Sequence, residues 1–429
     1  MERELTRAPQ AGRSTSSRAS SEGSRLCMLL ETYHPEIGGG ESQARLLAEG
    51  LVERGFRVSV LTRRSMRHLP SFETVGGVSV RRVGPAGPGR LRKWGLLLTV
   101  PPELVGRRRS YDVLLVSGLR ILGLPAVLTG RLLGKPCILK ADSNGEVSGS
   151  YFASGLGRWG LSPSAPPIRA IIGLRNAVLR RADLFVPLST EIATELRAGG
   201  IPEGRMVTIP NGVDTDRFQP VDEATKRGIR VDLGLPPDQP VAVFTGRLVR
   251  YKGLPLLLRA WGEVLRRNPR ARLLLVGAGG ADLHNCEDEL RRYVEAHGMQ
   301  ESVLFTGFVE KVEPYLQAAD LFVFPTQDEA FGISLVEAMA CGLPVVTTWI
   351  GGIRDIVTPN QDALVVEPGE MEPLAAAIHR LLSDRMLAAR LGAQARRTVT
   401  GRFSRGMVVS QYERLIRDCA IKTRSDGPG

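Results

Sequence analysis

Short apolar segments alternate with helical stretches along most of the chain, and this alternation limits the fold more than any other feature. Strands separated by helices form parallel sheets with helices on both faces. Two such series are present, so the sequence predicts an α/β protein with two doubly wound, Rossmann-like domains. The predicted strands are 26–32, 56–62, 78–83, 112–117, 136–141 and 184–189 in the first series, and 241–246, 272–277, 303–308, 320–326 and 343–348 in the second.

The predicted domain boundary lies within residues 206–214, where a short strand precedes a Pro-Asn-Gly turn. We predict an N-terminal domain over 25–209 and a C-terminal domain over 210–402. A last helix at about 403–420 is expected to pack back on the first domain. Because ligands of doubly wound sheets bind at the C-terminal ends of the strands, the cleft between the two domains is the expected site.

Composition excludes several classes of protein. The net charge of +12 is compatible with nucleic acid, an anionic membrane or phosphorylated substrates as partners. Aromatic residues make up only 5% and are not interleaved with basic ones, which argues against a nucleic-acid reader. The five cysteines lack a CxxC motif and the five histidines form no metal-binding cluster. We therefore expect a cytoplasmic protein without a metal or other cofactor.

Membrane association is predicted to be peripheral. No run of about 18 apolar residues is present, so no transmembrane helix is expected. Residues 1–24 lack the apolar core of a secretory signal, and they and residues 421–429 are predicted to be disordered tails. Basic residues stand beside apolar ones in 90–100 and 168–183, which suits docking on the anionic inner face of a membrane. The alternative is a packed apolar face with solvated arginines.

The segment DEAFGISLVEAMACGLPVV, residues 328–346, predicts a nucleotide-sugar site. It contains a helix over 333–341 that follows a strand and a turn at Gly332. Free backbone N–H groups and the positive end of the helix dipole make such a helix start an anion site. Glu337 lies about one turn inside the helix and Glu329 before it, where carboxylates suit hydroxyl groups. A nucleotide-sugar has this arrangement, because its phosphates lie between two hydroxyl-rich groups, the ribose and the sugar.

Two cations and two glycine-rich loops extend this prediction. Arg247 and Lys252 follow a predicted strand and can clamp a diphosphate, although a solvated basic loop is the alternative. The three glycines 38–40 open a helix, as expected where a phosphate or sugar approaches the backbone. The loop 276–280 fails the dinucleotide fingerprint, because Asp282 occupies the third glycine position, and this argues against a dehydrogenase.

One acidic pair has the spacing of a metal-binding motif. Asp214 and Asp216 form a DxD sequence directly after the Pro-Asn-Gly turn. We interpret the pair as a capped linker turn rather than as metal ligands, because Asp commonly caps such turns.

Together these motifs resemble those of the retaining glycosyltransferases of family 4, which have the GT-B fold. The resemblance spans about residues 26–420 and is more specific in the C-terminal half. The motifs that carry it are Glu329–x7–Glu337, Arg247–x4–Lys252, the run from Pro210 to Asp214 and the glycines Gly38 to Gly40.

The resemblance implies transfer of a sugar from a UDP-type or GDP-type sugar to an acceptor hydroxyl, with retained configuration and no metal. The acceptor would be lipid-linked, a polysaccharide or a small molecule. Arg247 and Lys252 would hold the donor diphosphate, and Glu329 would bind the donor sugar. Further donor contacts would come from Gly39 and Gly40 in the first domain, from Phe308 and Val309 at the base, from Phe331, Gly332 and Ile333 at the phosphates and sugar, and from Glu337 at the ribose.

The chain departs from the family at one position. Many members have a histidine beside the sugar after an N-domain strand, whereas no histidine occurs here between residues 69 and 283. Lys140, Asp142, Ser143 and Asn144 stand near that position and are the candidates on the acceptor side. Two alternatives stay open: a UDP-sugar epimerase, which needs no separate acceptor, and a non-catalytic partner subunit that binds a nucleotide-sugar without turnover.

Overall fold

The computed structural model describes residues 24–87, 89–150, 162 and 165–425. The tail predicted over 1–24 therefore lies outside the described residues except for Ser24. The second predicted tail, 421–429, begins with residues 421–425 in the last helix, since the sequence has no glycine or proline between 407 and 426 that would end it earlier.

The first half of the chain forms a seven-stranded sheet with helices on both faces. Its strand order is β3-β4-β2-β1-β5-β6-β7, and only β3 pairs antiparallel. The order reverses between β1 and β5, so the C-terminal ends of these strands form the crevice in which such sheets bind ligands. The strands are β1 Arg25–Leu30, β2 Arg57–Arg63, β3 Phe72–Val75, β4 Val78–Val83, β5 Val113–Ser117, β6 Cys137–Ala141 and β7 Leu184–Pro187, and the helices are α1 Gly39–Glu53, α2 Leu96–Gly106, α3 Gly123–Leu133, α4 Pro166–Leu179 and α5 Thr190–Ala198.

The second half forms a six-stranded parallel sheet with the order β10-β9-β8-β11-β12-β13. Here the order reverses between β8 and β11, and every residue of both strands is buried. The strands are β8 Val241–Thr245, β9 Arg272–Val276, β10 Val303–Gly307, β11 Leu321–Phe324, β12 Val345–Thr348 and β13 Leu364–Val366, and the helices are α6 Glu223–Asp232, α7 Leu254–Arg267, α8 Glu287–Ala296, α9 Glu313–Ala318, α10 Ile333–Ala340, α11 Met371–Ser383, α12 Arg385–Arg402 and α13 Arg405–Ser425.

These two sheets confirm the predicted fold class, with three differences in detail. The sequence does not predict β3, an edge strand joined to β4 by Gly76 and Gly77, or the three-residue strand β13. The strand predicted within 206–214 forms no regular ladder; Met206 makes only an isolated bridge to β7. Pro210 has no N–H group, so a ladder cannot continue through it.

The last helix crosses from the second half of the chain to the first. Helix α13 packs against α1, and a Cβ atom added to Gly50 of α1 would lie 2.6 Å from Val409. Arg54, which directly follows α1, forms an ion pair with Glu413 of α13 at 2.8 Å. The C-terminal segment thus covers an apolar face of the first sheet's outer helix.

Candidate active site

A cleft of about 1390 Å³ lies between the C-terminal ends of the strands of the two sheets. Residues from both halves of the chain line it, as the position of the two topological switch points predicts. Of the candidate residues from the sequence, the cleft is lined by Gly39, Gly40, Asp142, Ser143, Asn144, Arg247, Lys252 and Glu329. The other candidates are Lys140, Phe308, Val309, Phe331, Gly332, Ile333 and Glu337, which are not part of this lining.

Lys252 and Glu329 form an ion pair at the cleft that is largely enclosed. Lys252 Nζ lies 2.6 Å from Glu329 Oε2, and the two side chains are 13% and 14% exposed. Lys252 also lies over the ring of Phe324 at 5.3 Å. The backbone brings it there through Gly253, whose φ is +73° and where an added Cβ would lie 1.9 Å from the carbonyl oxygen of Pro325. A side chain at residue 253 would therefore separate the lysine from the segment that carries Glu329.

Arg247 flanks the same part of the cleft but is more open to solvent. Its guanidinium pairs with Asp282 and donates a hydrogen bond to the Tyr251 hydroxyl at 2.6 Å. The sequence marks Asp282 only as a failed glycine position, so its part in the site was missed. Both cations predicted to clamp a diphosphate are thus paired with carboxylates.

The starts of helices α1 and α10 lie against each other, and Gly39 of α1 also lines the cleft. Gly332 precedes α10 with a φ of +110°, a conformation that favours glycine, and no side chain caps the helix. A Cβ added to Gly39 in α1 would lie 2.9 Å from Ile333 Cδ1 in α10. The positive ends of two helix dipoles therefore meet next to Glu329, the partner of Lys252, and make this end of the cleft attractive to anions.

Two glycines after β12 support the Glu329 loop, and sequence reasoning missed them. The N–H of Gly352 donates to the carbonyl oxygen of Glu329 at 2.9 Å. A Cβ added to Gly351, whose φ is +52°, would lie 2.1 Å from that oxygen. A Cβ added to Gly352 would lie 2.2 Å from the carbonyl oxygen of Ala330. The adjacent pair in the sequence TWIGGIRD is the signal that could have shown them.

Glu337 lies inside α10, partly buried and away from the cleft lining. Burial raises the pKa of its carboxyl group to about 8, while the charge of Arg217 opposes the rise and that of Glu313 adds to it. Arg217 and Glu313 pair with each other at 2.7 Å. A neutral carboxyl group can both donate and accept a hydrogen bond.

The four candidates on the acceptor side separate into two kinds. Lys140 is buried beneath the loop and binds Asp142 at 2.7 Å and Asn211 at 3.1 Å, so it holds the loop rather than facing the cleft. Asp142 also accepts a hydrogen bond from the Ser117 hydroxyl. Asp142, Ser143 and Asn144 lie at the cleft itself.

Three cations on this side of the cleft were not predicted from the sequence as site residues. Arg63, Lys93 and Arg120 line it, at or just after the ends of the strands or helical turn that precede them. The Nε atom of Arg63 is buried and donates no hydrogen bond within the described part of the chain. Lys93 lies 3.6 Å from Glu31, and Arg120 lies 3.3 Å from the buried Glu146. Burial raises the pKa of Glu146 to about 7.

The DxD sequence behaves as a turn cap. One oxygen of Asp214 accepts the N–H groups of Asp216 and Arg217, each at 3.1 Å. Within the described ranges, no group of three or more His, Cys, Asp or Glu side chains is placed to hold a metal ion. Likewise, no helix among the described residues is long and apolar enough to cross a bilayer.

Comparisons with known proteins agree with the fold. The family described as glycosyl transferases group 1 matches residues 225–398, and the glycosyl transferase 4-like domain matches residues 38–212. The chain is 30% identical over 387 residues to D-inositol 3-phosphate glycosyltransferase of Nocardiopsis dassonvillei, covering 83% of this chain and 84% of that protein. It is 33% identical over 368 residues to D-inositol 3-phosphate glycosyltransferase 1 of Catenulispora acidiphila, covering 81% and 83%.

Solved structures are similar over nearly the whole chain. Sucrose-phosphate synthase from Thermosynechococcus elongatus has a TM-score of 0.76 at 24% identity and covers 93% of this chain and 100% of its own. Anabaena HepE, solved with UDP and glucose, has a TM-score of 0.72 at 20% identity and covers 92% and 99%. These likenesses concern the fold. With the family matches and the relatives at 30% identity or more, they establish that this chain belongs to the family-4-like glycosyltransferases with the GT-B fold.

Proposed function

We propose that the protein transfers a sugar from a nucleotide diphosphate sugar to an acceptor hydroxyl, with retained configuration and without a metal ion. The observation that carries this proposal is the Lys252–Glu329 ion pair beside the start of α10 in the cleft. It joins a cation for phosphate to a carboxylate for sugar hydroxyls. Anabaena HepE was solved with UDP-glucose, which supports a UDP-sugar as the donor.

The donor diphosphate binds between Arg247, Lys252 and the N-terminal N–H groups of α10 in this proposal. Charge-assisted hydrogen bonds to phosphate are worth about 1.5–3 kcal/mol each. Each bond formed replaces part of an existing ion pair, with Asp282 or with Glu329. Glu329, released in part from Lys252, then accepts hydrogen bonds from the donor sugar.

The proposal also assigns residues to the ribose and the base of the donor. The ribose reaches Glu337 within α10, and the base meets the backbone turn of Phe308 and Val309 after β10. Phe308 is 61% exposed there, at the C-terminal edge of the second sheet. Gly39 and Gly40 let the donor approach the backbone of α1 from the other side of the cleft.

Catalysis depends on charge that grows on the leaving group. As the bond between the sugar carbon and the phosphate oxygen breaks, the diphosphate gains negative charge that Lys252, Arg247 and the helix start stabilise. The departing phosphate oxygen accepts the proton of the attacking acceptor hydroxyl. Attack on the same face retains the configuration. Glu329 as a covalent nucleophile is the less favoured route, because its carboxylate is paired with Lys252 at 2.6 Å.

We propose further that the acceptor carries a phosphate group. Arg63, Lys93 and Arg120 line the acceptor side, and the buried Nε of Arg63 presents a donor that no described protein atom accepts. A buried donor of this kind normally has a partner. The relatives named D-inositol 3-phosphate glycosyltransferase act, by their name, on such a compound.

Peripheral docking on an anionic membrane belongs to the same proposal. Helices α2, α3 and α4 are adjacent and expose apolar side chains to solvent, with arginines 107–109 directly after α2. The most exposed are Leu98 at 81%, Leu132 at 79%, Leu174 at 72% and Ile171 at 69%. Leu179, the last residue of α4, is instead buried in the core. Apolar side chains among basic ones suit an interfacial surface.

A ligand panel followed by a turnover assay tests the function. Thermal shifts with UDP, GDP, ADP and dTDP identify the base, because a ligand that binds only the folded state raises the melting temperature. The matching nucleotide sugars are then incubated with D-inositol 3-phosphate, and with inositol as the control that lacks the phosphate. We expect a product of retained configuration by NMR, formed faster with the phosphorylated acceptor and equally fast with EDTA.

Other outcomes would contradict the proposal. Conversion of the donor sugar without acceptor would indicate an epimerase. Nucleotide binding without turnover on any acceptor would indicate a non-catalytic subunit. Equal rates with inositol and with its phosphate would contradict only the proposal that the acceptor carries a phosphate group.

A further inference from the structure

Helix α5 of the N-terminal half contacts both sides of the cleft. At its start, the carboxylate of Asp355, from the C-terminal half, accepts the N–H of Thr190 at 2.6 Å and its hydroxyl at 2.7 Å. Asp355 ends the short helical turn that begins with Gly351, next to the Glu329 loop. The start of α5 is thus fixed to the segment that supports the proposed sugar-binding carboxylate.

Further along α5, Glu195 holds the loop that follows β6. Its carboxylate accepts three backbone N–H groups of that loop, at 2.7 Å from Gly145 and at 2.9 Å from Val147 and Ser148. Asn176 of α4 donates to the carbonyl oxygen of Val147 at 2.7 Å. Hydrogen bonds to a carboxylate are among the strongest in proteins, so Glu195 fixes the position of this loop.

The loop carries Asn144 into the cleft in a defined orientation. Asn144 Nδ2 donates to Asp328 Oδ1, from the opposite half of the chain, at 3.4 Å. A carboxylate only accepts hydrogen bonds, so the amide nitrogen faces Asp328 and the amide oxygen faces away from it. That oxygen is buried and accepts no hydrogen bond from the part of the chain that the structure describes. Both residues line the cleft, and Asp328 directly precedes Glu329.

We propose that Asn144 Oδ1 accepts a hydrogen bond from a hydroxyl group of the donor sugar, and that Glu195 is the positioning residue that holds Asn144 for this contact. A buried acceptor without a partner, beside a carboxylate proposed to bind the sugar, is where a ligand hydroxyl completes the hydrogen bonding. The inference rests on the proposed function, because it requires a nucleotide sugar in the cleft.

Binding calorimetry with UDP and UDP-glucose tests it in the full-length protein. The variants are Asn144→Ala, Glu195→Gln and the double variant, and Thr194→Ala is the control, since Thr194 is an exposed neighbour on α5. We expect unchanged UDP affinity in every variant. The ratio of the UDP-glucose to the UDP dissociation constant should rise about tenfold in each single variant, equivalent to about 1.4 kcal/mol. The double variant should show no more than the larger single effect, because both changes remove one contact.

The possible results separate the sugar contact of Asn144, the positioning role of Glu195 and the proposed donor. Unchanged ratios in Asn144→Ala overturn the sugar contact, and this variant leaves the anchors of the loop intact. Effects that multiply in the double variant show that Glu195 does not act through Asn144. A wild-type protein that binds neither UDP nor UDP-glucose contradicts the proposed donor, and the inference falls with it. If the wild type binds UDP but the variants leave the ratio of the UDP-glucose to the UDP dissociation constant unchanged, the Asn144 contact is contradicted and the proposed function is not.

Discussion

Replacement of Glu337 by glutamine should remove a loss of stability that grows as the pH rises. Burial raises the pKa of this carboxyl group from an ordinary 4.5 to about 8. Below pH 4.5, both the folded and the unfolded state hold the proton, so Glu337 does not lower the free energy of unfolding. Between the two values only the folded state holds it, and the free energy of unfolding falls by about 1.4 kcal/mol for each pH unit. The loss at pH 8 is on the order of 4 kcal/mol.

Glu337→Gln removes this loss, because a glutamine carries no charge in either state. We expect the variant to gain on the wild type as pH rises from 5 to 8, measured as the difference between their urea midpoints. Glu287→Gln is the control: the pKa of Glu287 is shifted in the opposite direction, so the difference of this variant from wild type should stay constant from pH 5 to 8 and change only below the ordinary value of 4.5. The backbone N–H of Gly279 lowers the pKa of Glu287, so this carboxylate contributes stability above its unfolded pKa that is lost in acid. Parallel curves for wild type and Glu337→Gln would refute the argument.

The same carboxyl group links donor binding to pH. If the ionised group accepts the ribose hydroxyls, UDP-glucose lowers its pKa and releases close to one proton at pH 7. Calorimetry in two buffers of different ionisation enthalpy measures that proton, and Glu337→Gln should abolish it. UDP-glucose is suited to this measurement, because its diphosphate diester has no group that titrates near neutral pH. Proton uptake, or no transfer at all, would show that the ribose hydroxyls do not bind the ionised form of Glu337.

Three further outcomes are expected. Lys252→Ala should lower turnover by at least about a hundredfold, since it removes charge stabilisation of the leaving group, while EDTA leaves the wild type active; strict dependence on a divalent metal in a turnover assay would overturn this. Gly351→Ala should lower the free energy of unfolding by about 1–3 kcal/mol, because residue 351 has a positive φ and its Cβ would contact the Glu329 carbonyl oxygen. Gly262→Ala, in open space on α7, should not lower it, and urea titration compares the two variants. Anionic liposomes should float more protein than neutral ones, less so at high salt, and Leu132→Ser should reduce this recovery; equal recovery on both vesicle types would exclude electrostatic docking.

Much of the fold follows from local sequence patterns. Buried parallel strands are continuous apolar runs, so segments such as VAVFT in β8 and LFVF in β11 are recognisable from sequence alone. Strand β3 was missed because it lies at the edge of its sheet and its residues alternate between exposed and partly buried positions. Its one local signal is the Gly-Gly pair after it, a frequent hairpin turn.

The candidate site was predictable where its residues are close in sequence, and not where distant segments meet. Arg247 and Lys252 stand five residues apart, so their common loop is visible in the sequence. Asp282, 35 residues from its partner Arg247, gives no such signal. Glu195 is about 50 residues from the loop that it holds, and only the parallel pairing of β6 with β7 brings α5 beside that loop.

The pairing of Arg247 with Asp282 and of Lys252 with Glu329 has a consequence for the proposed chemistry. A nucleotide without a sugar draws Lys252 towards phosphate and leaves the Glu329 carboxylate, only 14% exposed, without its partner. An unpaired buried charge is costly, so this cost opposes the binding of the nucleotide alone. A nucleotide sugar also loosens the pair, but its hydroxyl groups replace the lysine as donors to Glu329. The ion pair thus favours the complete donor over the nucleotide product, and this difference would help the product to leave after each transfer.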